Sequence, residues 1–121
     1  MNRDQMTLGE LIDALKKLPA EEFIRFDFGG LVPTHFDNYR GYYEDLAIGF
    51  ADDYSGNTVG DFLQRCEACV GTTFTGYKGG EYTMTRDTDV WVANSGQATG
   101  TGLMGVEFRH HTVILLTDFI D

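Results

Sequence analysis

Apolar residues recur at helical spacing in two stretches of the chain and at alternate positions in several others. Leu8, Leu11, Ile12, Leu15 and Leu18 fall on one helical face. Thr7 with Glu10 three residues later forms a capping-box pattern at the start, Lys16 and Lys17 suit the negative end of the helix dipole, and Pro19 stops the helix. Val59, Phe62, Leu63, Cys66 and Cys69 repeat that spacing behind Thr58, with Gly71 as the residue that closes the second helix. The two starts, Thr7-Leu8-Gly9-Glu10 and Thr58-Val59-Gly60-Asp61, share the pattern Thr-apolar-Gly-acid. An internal duplication of a helix followed by a Tyr-base-Gly loop accounts for it, and so does chance, because few positions are involved.

Alternation marks the strands. Ile24, Phe26 and Phe28 share a face of 23–28, Leu46, Ile48 and Phe50 share a face of the next run, and Val90 and Val92 oppose Trp91 and Ala93. Leu31–Asn38, with Pro33 and His35, reads as a loop, and Ser95–Gly102 (SGQATGTG) as a small polar one. Leu103–Arg109 reads as a strand, His110-His111 as forming or bordering the turn, and Thr112–Thr117 (TVILLT), apolar on both faces, as a sheet centre covered on at least one side by helices. The expected fold is α+β, with two helices packed on one face of an antiparallel sheet of about five or six strands.

Composition narrows the function. A chain of 121 residues that is 42% apolar suffices for one domain with its own core and no disulfide or metal staple. Nineteen acids against nine bases, a formal charge of −10, disfavour any role that coats the phosphates of duplex nucleic acid. A small anion stays possible, since backbone N–H groups and one or two local cations hold it while distant charges are screened. The same acidity fits a face that meets a basic partner. No apolar run approaches the length of a membrane span and the first residues lack a signal-peptide h-region, so a cytoplasmic protein is expected. Cys66 and Cys69 lie too close in sequence to staple a fold and are expected to be reduced, buried thiols.

Two loops carry the candidate chemistry. Tyr39-Arg40-Gly41-Tyr42-Tyr43 and Gly76-Tyr77-Lys78-Gly79 each combine tyrosine, a base and glycine. A ring to stack on, a cation for phosphate and small residues where backbone must approach are what an anionic aromatic ligand needs. The candidate ligand-binding residues are Tyr39, Arg40, Tyr42, Tyr43, Tyr77, Lys78 and Tyr82, with Asn94, Thr99 and Thr101 from the small polar stretch. That stretch has neither the dinucleotide fingerprint nor the Lys-Ser/Thr of a P-loop. Cys66-Glu67-Ala68-Cys69 lies inside a helix and not at its N-terminus, where a redox pair belongs, and no spacing supplies two more zinc ligands. His110 and His111 are adjacent, so on a strand they face opposite ways; Glu44 or Asp45 orients Arg40; Ser95 has no supporting His and Asp. No catalytic residue, metal or cofactor is expected, and the reading is a non-catalytic binding domain whose two loops share a pocket in one subunit or across a symmetric homo-oligomer.

The strings YRGYYEDLAIGF, TFTGYKGGEYTM and VWVANSGQATGTG resemble a family of small, poorly characterised proteins encoded by tailed bacteriophages, over most of the chain from Thr7 to about Val106. The resemblance implies a setting, the infected bacterial cell, in which such proteins often counter host defence. The implied roles are a sponge that sequesters a nucleotide-like immune signal or, alternatively, an acidic anti-CRISPR-type inhibitor that blocks a defence protein's nucleic-acid groove.

Overall fold

The computed structural model describes residues 5–38, 45–51, 57–75, 81–93 and 100–120. Helix α1 (Leu8–Lys16) begins at Thr7, whose hydroxyl accepts from Glu10 N–H while the Glu10 carboxylate accepts from Thr7 N–H. Strands β1 (Phe23–Phe26), β2 (Val32–Asn38) and β3 (Leu46–Ala51) follow. Helix α2 (Val59–Cys69) is capped by Thr58, and Gly71, at φ +82°, closes it. The small hairpin β4 (Thr73–Thr75) and β5 (Glu81–Thr83) precedes β6 (Val90–Val92), β7 (Gly100–Arg109) and β8 (Thr112–Ile120). The two residues of the β7–β8 turn, His110 and His111, both take positive φ, as the right-handed twist of a two-residue hairpin requires.

The architecture is α+β, with both helices packed on one face of a six-stranded sheet ordered β1-β8-β7-β6-β3-β2. The sheet is mixed and not antiparallel throughout: β1 runs parallel to β8, and β3 parallel to β6. Alternation cannot reveal this, because it reports which face a side chain takes and says nothing of which neighbour a strand selects. The Leu31–Asn38 segment is a strand despite Pro33. β2 is an edge strand, where Pro is tolerated, and its pairing with β3 slips between Pro33 and Phe36. Thr101 and its neighbours likewise belong to β7 and not to a loop.

The sheet curls until its two edges meet. Residues 27–31 join β1 directly to β2, Phe26 N–H donates to Leu31 O at 2.8 Å, and Phe50 of β3 packs edge-on against Phe26 and Phe28. Inside lie Ile24, Phe26, Leu46, Ile48, Val90, Val92, Leu103, Val113 and Leu115, all at most 2% exposed, closed over by Leu8, Leu11, Leu15, Phe62 and Cys66 of the helices.

The shared helix starts extend into a repeated frame. Leu8 and Gly9 N–H donate to Thr88 and Arg86 O; Val59 and Gly60 N–H donate to Glu22 and Ala20 O. Thr7 bridges Asp89 just before β6, and Thr58 bridges Phe23 at the start of β1. Val90 N–H donates to Met6 O as Ile24 N–H does to Asn57 O, and Ala93 N–H to Ile48 O as Asp27 N–H does to Leu115 O. The hairpins slip at corresponding places, between Pro33 and Phe36 and between Leu103 and Gly105. Thus α1-β1-β2-β3 corresponds to α2-β6-β7-β8, each helix start held by the other half, with β4–β5 inserted in the second. Even the bulges are filled reciprocally: His35 of β2 lies over Gly49, where a Cβ would come within 2.6 Å of its ring, whereas Leu116 of β8 lies over Gly105. The counterpart of the Tyr39–Tyr43 stretch is therefore the His110-His111 turn, and the Tyr77-Lys78 stretch belongs to the insertion.

Candidate functional site

Of the candidate residues, Tyr39, Arg40, Tyr42, Tyr43, Tyr77, Lys78, Asn94 and Thr99 lie outside the described residues. Tyr82 of β5 is half-buried and packs against the main core, beside Phe74 of β4. Thr101 of β7 pairs with Phe119 of β8. The strands that carry the remaining stretches are described. Asn38 and Leu46, which flank 39–44, stand at the end of the sheet where β1, β3, β6 and β8 begin. Ala93 and Gly100, which flank 94–99, stand at the opposite end. The β4–β5 hairpin, which carries 76–80, touches β2. Strand order thus separates the support of 39–44 from that of the small polar stretch, and the hairpin that carries 76–80 lies against β2, the strand that leads into 39–44.

The cysteines occupy helical core positions. Cys66 is fully buried, and burial pushes its thiol far up, with Cys69 and Glu67 adding to the shift; burial likewise pushes Cys69 up to about 11. Thiols held this way are poor nucleophiles at neutral pH. Among the described residues no three His, Cys, Asp or Glu side chains converge as a metal site. Asp45, considered above as a partner of Arg40, accepts a hydrogen bond from Trp91 Nε1–H at 3.0 Å. No helix among the described residues is long and apolar enough to cross a membrane.

Among the described residues, two depressions are formed outside the core. One, of about 320 Å³, runs along α2 past Asp61, Gln64 and Arg65, where Arg65 has an acid one turn away on the same wall. The other, of about 300 Å³, opens at the seam between β1 and β2 and is lined by Phe23, Arg25, Gly30, Val32, Asn57 and Thr112. Asn57 spans this seam: its carbonyl accepts from Ile24 N–H and its side-chain amide donates to Pro33 O. Phe23 is 58% exposed at the rim. Arg25 is exposed and has no ion pair among the described residues, whereas Lys16, Arg86 and Arg109 each hold a carboxylate, of Glu67, Asp13 and Glu107. Sequence reasoning placed Arg25 in a strand and gave it no role. Its one signal was a cation on the outward face of an alternating run, which is also what a solvated strand shows.

No protein-family model, curated protein or solved structure matches the chain.

Proposed function

We propose that the protein is a non-catalytic binding protein that sequesters a small anionic, nucleotide-like ligand, acting in the cytoplasm of a phage-infected bacterium as a sponge for an immune signal. The observation that supports this reading is the contact between β4 and β2, which gives the stretches bearing Tyr39-Arg40 and Tyr77-Lys78 adjoining supports. A base and tyrosines from each then meet one ligand, the cations at its phosphates and a ring against its base. The phage setting rests on the resemblance of the loop strings. The test is a melting assay with a nucleotide panel on the wild type, Arg40→Ala, Lys78→Ala and, as control, Lys16→Ala. A ligand at 100 times its dissociation constant adds about 2.7 kcal/mol of stability. Loss of one charge-assisted hydrogen bond lowers affinity by about ten- to a hundredfold. A wild type that no nucleotide stabilises, or alanine variants that bind as it does, refutes the reading.

A further inference from the structure

The two halves share a hydrogen-bond frame, so corresponding positions can be compared directly, and at the outer face of the strand after each helix-binding segment they diverge. In the second half the position is Trp91. Its indole lies beside Ala47 of β3 and Gly102 of β7, is 8% exposed, and is fastened by Nε1–H to Asp45. The corresponding position in the first half is Arg25, flanked by Ile114 in place of Ala47 and by Val32 in place of Gly102. The acid that holds the indole is also exchanged, Asp45 corresponding to Thr112, and Asp89, bridged to Thr7, corresponds to Phe23, bridged to Thr58. The niche with the tryptophan is closed and acidic. The niche with the arginine is an open cleft of about 300 Å³ whose lining, among the described residues, holds a hydroxyl, an amide and an exposed phenyl ring but no carboxylate.

A guanidinium without a carboxylate partner among the described residues, in a chain of net charge −10, is poised for an anion from outside. A ring that is 58% exposed beside it offers a stacking surface. Gly30, with φ +64°, lets the turn between β1 and β2 pass the cleft without a side chain in the way. We infer that the β1–β2 seam cleft is a binding site for a small ligand with an aromatic ring and one anionic group, the ring on Phe23 and the anion on Arg25 and Thr112. The inference rests on the reading of the protein as a binder of small anionic ligands and adds, apart from the two Tyr-base-Gly stretches, a second place in the described fold where such a ligand is held.

The experiment follows backbone amide resonances of the full chain during titration with adenosine 5′-monophosphate, indole-3-acetate and inorganic phosphate. Shifts that centre on Arg25, Gly30, Val32 and Thr112 are expected with either aromatic anion, and weaker binding with phosphate alone. Arg25→Ala should weaken the aromatic anions by about ten- to a hundredfold and Phe23→Ala by about tenfold. Arg65→Ala, which removes a cation beside the other depression, should leave them unchanged. Both cleft positions are exposed, so melting curves should stay in place and separate binding from folding. Seam shifts with indole-3-acetate but none with the nucleotide support the cleft while refuting a nucleotide ligand. Nucleotide binding that shifts residues elsewhere and survives Arg25→Ala overturns the cleft and leaves the binding reading intact. No response to any probe overturns the cleft, and the nucleotide panel decides the binding reading separately.

Discussion

The half built on α1, β1, β2 and β3 and the half built on α2, β6, β7 and β8 carry the same scaffold with different outer faces. Where the scaffold needs a donor or a carbonyl the halves agree almost bond for bond, even though few of the side chains match. At the position of Arg25 and Trp91, where the frame asks only for a side chain pointing outward, one half closes the surface and the other leaves it open. Backbone polar groups must be satisfied wherever they are buried, so the frame resists change. Outward side chains face no such obligation, and there the halves were free to part.

The strongest way to break the comparison is to truncate both members of the divergent pair. Trp91→Ala removes a buried indole and the partner of Asp45 and should cost about 3–5 kcal/mol, whereas Arg25→Ala should fall within about 0.5 kcal/mol of the wild type. Urea melts decide it, and similar losses at both positions would deny that one niche is filled and the other open.

The caps sharpen the opposite side of the comparison. Thr7→Ala and Thr58→Ala should each cost about 1 kcal/mol in thermal melts, with Thr7 the larger. Both hydroxyls accept from the third residue of their helices, but only Thr7 also receives its acid's side chain in return. A neutral result at one cap with a clear loss at the other would mean that the helix starts are alike in sequence and unlike in work.

A further difference is silent at neutral pH and shows only in alkaline solution. The unfolded Cys69 thiol ionises near 9 and the folded one at about 11, because burial disfavours the thiolate. Stability is therefore fully present below pH 9 and declines as pH rises through 11, the unfolded chain releasing its proton first. Leu18, at the corresponding place behind α1, has nothing to titrate. Cys69→Ala should make the decline between pH 9 and 11 shallower, and an unchanged slope would contradict the burial of this thiol.

Both helices, their threonine caps and most strands were legible in the chain because spacing and capping are local properties. The apolar stripe of Leu8, Leu11, Ile12 and Leu15 needs no partner to be seen, and its burial follows from the cost of leaving it wet. The repeated Thr-apolar-Gly-acid start could be read too, but not its meaning. Each start is held by carbonyls from the other half, contacts that join residues far apart in the chain. Local pattern was equally silent on β2, whose Pro33 looked like a break until an edge position made it harmless, and on the parallel pairs β1–β8 and β3–β6.

The candidate site divides along the same line. By itself the sequence determined which residue types this protein has to offer a ligand, tyrosines and bases set among glycines on an acidic chain, together with the local elements that carry them. Only the tertiary structure decided that the support of 94–99 lies at the far end of the sheet from that of 39–44, and that Arg25 borders a cleft while Trp91 fills a niche. The physical reason is that a side chain's chemistry travels with its residue, whereas its partner and its exposure depend on which strands become neighbours. That choice is made by burying one shared core, and no single stretch of the chain contains it.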